Sequence, residues 1–236
     1  MFFDQHPEFI VGDPRKDRPN IRVTSESMSK RCAVMLPESL IKGKSVLDVG
    51  SAAGAMGCWC SENGANKYHG VEIQEGYRKV SNDLLSKYTN TKIWHYLGNT
   101  DDEYDIVVAA GVINGVSNQY EFIQKLCSKA KEYLIIEASY LNTEEALIKV
   151  FDGNMINYHD VNNPYRGVSF VPSIPALTIM AEINGFEFDE RLYPEPILNS
   201  HDPYNNLQES HSRFIVRYKR SNSKVTSLEE AIHVGV

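Results

Sequence analysis

Two carboxylates and a bend of small residues are the features with the clearest chemical content. Asp48 sits inside Val46-Leu47-Asp48-Val49-Gly50-Ser51-Ala52-Ala53-Gly54-Ala55-Met56-Gly57, and Glu72 follows 22 residues after Gly50. Gly50 and Gly54 allow a sharp turn and a close approach of backbone to a ligand, and the helix-like stretch behind them offers free N–H groups. Asp48, two residues before the first glycine, puts a carboxylate where the ammonium or amide of a ligand can be met. Glu72 closes the next apolar run, where an acid accepts both hydroxyls of a ribose. The pair therefore describes a seat for a nucleoside-bearing cofactor. Gly50-x-Ala52-x-Gly54-x-x-Gly57 also stretches to a dinucleotide fingerprint. An acid so close before the first glycine, with such loose spacing, fits a nicotinamide dinucleotide poorly.

Strands must carry these acids. Apolar runs at 45–50, 68–73, 92–97, 104–110 and 133–138 alternate with helical stretches at 55–63, 76–88 and 119–131. That rhythm predicts an α/β fold with a mostly parallel sheet, helices on both faces, and a ligand outside the carboxyl ends of the strands. Residues 1–24, with Pro7, Pro14 and Pro19, read as an irregular arm; Thr24 or Ser25 caps a helix to about residue 36. After residue 138 the rhythm loosens. Pro172 is expected to open a helix ending near Gly185, followed by strands at 186–192 and 214–218 and a polar tail. The expected organisation is an arm and helix over 1–40, a ligand-binding domain over 41–220 with an insertion at 139–171, and a tail over 221–236.

Composition narrows the classes. The 236 residues carry 24 Lys and Arg against 31 Asp and Glu, a net charge of −7, so the broad basic field of non-specific nucleic-acid binding is missing. No window approaches the roughly 18 uncharged apolar residues of a membrane span. The first residues lack the basic start and apolar run of a signal peptide, so we expect no membrane association and a cytoplasmic location. The four cysteines read as reduced thiols. Cys58-Trp59-Cys60 has no second pair at finger spacing, and Asp101-Asp102-Glu103 with Asp105 sits in a tight connector, so no metal is expected.

The bend resembles motif I of class I S-adenosylmethionine (SAM) dependent methyltransferases, an apolar run followed by Asp-x-Gly-x-Gly-x-Gly, with Ala52 in place of the middle glycine. The resemblance continues through Gly70-Val71-Glu72-Ile73, through Leu97-Gly98-Asn99-Thr100, and through Tyr104-Asp105-Ile106-Val107-Val108-Ala109-Ala110-Gly111-Val112-Ile113. It implies a Rossmann-like, seven-stranded sheet with the last strand antiparallel, and SAM as cofactor. It also implies a binding set of Asp48, Gly50, Ser51, Ala52, Gly54, Glu72 and Ile73, with Asn99 and Thr100 toward adenine, and Ala110 and Gly111 at the cofactor-facing end of the fourth strand. By analogy the N-terminal helix, with Met28 and Arg31, lids the cofactor.

The acceptor half is less legible. No Pro-Cys of cytosine-C5 enzymes is present. The place of the Asn/Asp-Pro-Pro-Tyr/Phe of amino-methylating enzymes holds Gly111-Val112-Ile113-Asn114-Gly115, and Asn163-Pro164-Tyr165 reads as a turn. Val168-Ser169-Phe170-Val171-Pro172-Ser173, Asn184-Gly185-Phe186 and Arg213-Phe214-Ile215-Val216 are similar to blocks of the carboxy-SAM-dependent tRNA wobble-uridine carboxymethyltransferases, in which that Arg engages the extra carboxylate. The family's aromatic after strand four is Asn114 here. Histidine has the pKa of a proton acceptor near neutrality, and His159, His201 and His211 lie near Asp160, Glu137 and Asp202 in sequence. His159 with Asp160 is the preferred pair, and Asn114, Tyr140, Tyr165, Arg166 and Arg213 are the expected acceptor-pocket residues. The sequence is read as a SAM-dependent methyltransferase acting in line on O or N of a small-molecule or glycan-like acceptor. The alternatives are a tRNA wobble-uridine (carboxy)methyltransferase and a non-catalytic SAM-binding partner subunit.

Overall fold

The computed structural model describes residues 1–13, 24–152, 168–193 and 211–221. A 3-10 turn, Phe2–Asp4, leads into α1 (Glu8–Val11), then α2 (Ser25–Met35) and α3 (Glu38–Ile41). The alternating part follows as β1 (Ser45–Val49), α4 (Ala55–Glu62), β2 (Lys67–Val71), α5 (Glu75–Leu85), β3 (Thr91–Trp94), β4 (Tyr104–Ala110), α6 (Gln119–Lys129) and β5 (Ala130–Leu141). Then come β6 (Ile148–Asp152), β7 (Val168–Pro172), α7 (Ile174–Ile183), β8 (Phe186–Leu192) and β9 (His211–Arg220).

Seven strands form one sheet in the order β3-β2-β1-β4-β5-β9-β8. Strands β1 to β5 pair in parallel, and β9 lies antiparallel between β5 and β8. The sheet is the Rossmann-like arrangement expected from the sequence. Its central strands are covered on both faces, so they read as unbroken apolar runs rather than as alternations. Leu47, Val49, Val107 and Ala109 pack toward α6 and α7 with Ile123, Leu126 and Leu177. Val46, Ile106, Val108 and Ile135 pack toward α2 and α4 with Met28, Cys32, Met56 and Cys60. Caps mark the helix starts: Thr24, Asn118 and Ser173 each accept a backbone N–H from the first turn of α2, α6 and α7.

Several local readings change. The start of the arm is folded, with Phe3 and Phe9 fully buried against α2 and α4. β3 ends at Trp94, and Leu97–Asn99 is a 3-10 turn because Asn99 Oδ1 accepts the Tyr96 N–H at 2.8 Å. The expected insertion contributes the end of β5 and an antiparallel hairpin, β6 with β7. Pro172 closes β7 instead of opening a helix; Ser173 caps α7, and the proline in the first turn is Pro175. Among the described residues no helix is long and apolar enough to cross a membrane, and no cluster of three potential metal ligands occurs.

Candidate active site

The bend after β1 is built from left-handed residues. Gly50 has φ 86° and Gly54 φ 85°, and Ala52 between them has φ 46°, the only non-glycine residue among those described with positive φ. A β-carbon on Gly50 would also overlap Val112 Cγ2, so this position admits glycine alone. The Gly50 and Ser51 N–H groups donate to the Val71 carbonyl at 2.8 and 3.0 Å, which fastens the bend to the end of β2.

Glu72 completes that junction. It is 6% exposed, its Oε2 accepts the Ala52 N–H at 3.0 Å, and its Oε1 accepts the Gln74 N–H at 2.8 Å. Arg78 donates to the Glu72 and Ile73 carbonyls, fixing the loop that carries the acid. Two N–H bonds use half of the acceptor capacity of an ionised carboxylate, and lone pairs remain on both oxygens for the hydroxyls of a sugar. Ile73 beside it is exposed. Asp48 is buried, and its Oδ2 accepts the Tyr68 hydroxyl at 2.8 Å.

A hollow opens at the carboxyl ends of β1 and β4, lined by Asp13, Met28, Arg31, Asp48, the bend from Gly50 to Ala53, and Ala110. Ser51 Oγ is buried at this bend with no hydrogen-bond partner among the described residues. Buried hydroxyls are normally bonded, so this oxygen fits a ligand group. A bend curled around backbone, one acid at each of two neighbouring strand ends, and an orphan hydroxyl between them match the donor set a nucleoside amino acid requires. Met28 and Arg31 of α2 line the same hollow.

At the far side of the hollow Glu137 of β5 is 1% exposed. It receives Arg213 Nε of β9 at 2.5 Å on Oε1, and Arg31 Nη2 of α2 on Oε2. The Gly111 N–H donates to the Glu137 carbonyl at 2.7 Å, and Arg213 Nη2 lies against the open face of Gly111. Arg213 is thus engaged by a protein carboxylate next to the end of β4.

Other expected site residues have different surroundings. Asn114 Nδ2 donates to the Ser139 and Phe170 carbonyls, and its Oδ1 accepts the Ser139 N–H; it stitches the turn after β4 to β5 and β7. Tyr140 is fully buried, its hydroxyl donating to the Ile136 carbonyl. It is a core residue and not a pocket wall, because its position on β5 faces α7 and Phe214. Asn99 is exposed and caps its own turn. The Thr100 hydroxyl meets Tyr104 at 3.0 Å and its carbonyl accepts Lys129. Tyr104 opens β4 and Lys129 ends α6 just before β5, so the structure does not bring Thr100 to the hollow. His159, Asp160, Tyr165, Arg166, His201 and Asp202 lie outside the described residues, as does the side chain of His211.

Asp13 and Tyr68 are the site residues that sequence reading missed. Asp13 stands in the arm, where no periodicity marks it. Tyr68 reaches Asp48 across the β1–β2 pairing, a relation fixed by register, Val46 opposite Tyr68. The cysteines take no part: burial pushes the Cys32 and Cys127 thiols up to about 12 and Cys58 up to about 11, so they pack as small apolar groups.

A family model described as a methyltransferase domain matches residues 22–190, more than half of the chain. The ribosomal protein L11 methyltransferase of Dictyoglomus thermophilum is 28% identical over 140 residues, covering 55% of this chain and 44% of that protein. The chain thus matches less than half the length of this curated relative. Among solved structures, magnesium protoporphyrin IX methyltransferase from Synechocystis PCC 6803 with bound S-adenosylhomocysteine (SAH) aligns over 83% of each chain, at 16% identity and a TM-score of 0.58. The Burkholderia thailandensis 1,6-didemethyltoxoflavin-N1-methyltransferase, bound to its acceptor and SAH, aligns over 93% of this chain and 86% of its own, at 11% identity and a TM-score of 0.59. By its sequence match the chain belongs to the methyltransferase-domain family, and its fold is that of the class I SAM-dependent methyltransferases.

Proposed function

We propose that the protein transfers a methyl group from SAM to an oxygen or nitrogen of a small-molecule or glycan-like acceptor. The observation that carries this reading is the hollow at the carboxyl ends of β1 and β4, lined by Asp48 and the bend from Gly50 to Ala53, with Glu72 fastened to that bend through the Ala52 N–H. Asp48 is assigned to the ammonium of the cofactor's amino-acid end, Glu72 to the ribose hydroxyls, and Ile73 to one face of the adenine. SAM brings a sulfonium-bound methyl that is already electrophilic. The chain therefore has three tasks: to align, to exclude water, and to accept a proton from the acceptor.

Several features support a small acceptor. The two solved structures above are named as methyltransferases of magnesium protoporphyrin IX and of 1,6-didemethyltoxoflavin, and the net charge of −7 gives no field for a polyanion. Arg213 is tied to Glu137, which favours SAM over carboxy-SAM as the donor. The Asn114 turn binds β7 to the end of β4. His159, with Asp160, is assigned as the proton acceptor on sequence grounds, both lying outside the described residues.

Thermal denaturation with SAM, SAH, carboxy-SAM and NAD tests the donor. Saturation at a hundredfold over Kd stabilises a protein by about 2.7 kcal/mol, so SAM and SAH are expected to raise the melting temperature and NAD to leave it unchanged. Stabilisation by NAD alone sinks the reading. An SAH-release assay across small hydroxy and amino compounds, glycans and bulk tRNA then identifies the acceptor class, and turnover on tRNA alone overturns the small-acceptor assignment.

A further inference from the structure

We infer that Tyr68 is a positioning residue for cofactor recognition: its hydroxyl fixes Asp48 so that this acid can select the ammonium end of the bound cofactor. The inference rests on the functional reading above and deepens it.

Tyr68 is fully buried, on the side of the sheet covered by α2 and α4, and is not among the residues lining the hollow. Its hydroxyl donates a 2.8 Å hydrogen bond into Asp48 Oδ2. The architecture makes room for this bond. A β-carbon on Gly57 of α4 would lie 2.6 Å from Tyr68 Cε1 and 3.0 Å from Cδ1. Gly57 therefore lets the ring slide beneath the helix until its hydroxyl reaches the strand-end acid. Leu85 Cδ1, at 2.9 Å from the same position, closes the rest of that space.

The chemistry of the pair is directional. A strand-end carboxylate can turn about its χ2 torsion, which is broad for an aspartate. A hydroxyl donating to one oxygen from beneath removes that freedom, and a hydrogen bond to a charged acceptor is among the stronger kinds. Burial, and then the neighbouring Asp48 charge, push the Tyr68 hydroxyl well above its ordinary pKa, so it stays a proton donor at every working pH. Asp48 is then held as a fixed acceptor for a cation in the hollow, and rotational freedom is lost before the ligand arrives.

The test compares two ligands that share the adenosine thioether and differ at the amino-acid end: SAH, which carries the ammonium, and methylthioadenosine, which does not. Calorimetry on Tyr68→Phe is expected to show SAH weakened by about tenfold and methylthioadenosine changed by less than about twofold. Unchanged SAH affinity overturns the inference, and so does an equal loss for both ligands, which is the mark of simple loosening. If Tyr68→Phe does not fold, Tyr68→His and Asp48→Asn are compared with their double variant. A positioning residue acting through Asp48 adds no further loss of SAH in the Asp48→Asn background, whereas additive losses refute it. Wild-type protein that binds neither ligand sinks the functional reading itself, an outcome separate from an unaffected Tyr68→Phe.

Discussion

Ala52 holds a left-handed conformation that an alanine adopts at a cost of about 1–2 kcal/mol, because only that curl aims its N–H at Glu72. Ala52→Gly relieves the strain while adding freedom to the unfolded chain, and the two effects nearly cancel. Denaturant titration is expected to place Ala52→Gly within about 1 kcal/mol of wild type and Ala52→Val at least about 2 kcal/mol below it. A Val variant as stable as wild type refutes the strain. Asp48→Ala and Glu72→Ala are each expected to lower SAH affinity more than tenfold, at least ~1.4 kcal/mol; unchanged calorimetric affinity in both removes the site. These acids were legible in the sequence because turn chemistry is local: two glycines and an acid fix a bend without reference to the rest of the chain. Tyr68 was not, since its partner is set by strand register. Asn114 and Tyr140 carried no mark of the carbonyls that absorb them.

Glu137 joins three elements that are distant in sequence: α2 through Arg31, β9 through Arg213, and its own β5. Breaking one side of a buried ionic cluster costs about 3–5 kcal/mol, because charge is left without compensation. Both arginines retain some solvent contact, with 18% and 20% of their side chains exposed, which puts the expected loss for Glu137→Ala near the lower bound, about 3 kcal/mol. The loss is read by urea unfolding, and a change under about 1 kcal/mol contradicts it. Elements with clear periodicity were found within a few residues. The hairpin β6–β7 was not. Its outward face shows Ile148, Val150 and Val168 to solvent, while the Asn and Gly residues between its arms suggested only an irregular stretch. Phe3 and Phe9 were missed for a related reason: a four-residue helix is too short to display a period.

On the scale of the molecule the sheet has two chemically distinct ends. The carboxyl ends carry the hollow; the amino end of β4 carries a polar knot in which His69 Nδ1 meets the Tyr104 hydroxyl at 2.7 Å beside Trp94. Burial, and then the Lys67 charge, lower the His69 pKa to about 4 from 6.5. A depressed folded pKa means that the unfolded chain takes up the proton first. The contribution of His69 is therefore complete above about pH 6.5 and lost as pH falls toward 4. Melting temperatures across that interval are expected to drop less steeply in His69→Gln than in wild type, with SAH affinity at pH 7 unaltered; identical slopes refute the assignment.

The placement of β9 between β5 and β8 also dictates how the chain can be made. β5 presents an open rim of amide and carbonyl groups from the moment it emerges, and β9, which seals it, is translated only after α7 and β8. A nascent chain halted before residue 211 would hold the bend, Asp48 and Glu72 but lack Arg213 and the sealing strand. Such a fragment is a candidate for edge-to-edge aggregation, and ribosome-stalled intermediates should call on chaperones until β9 threads home.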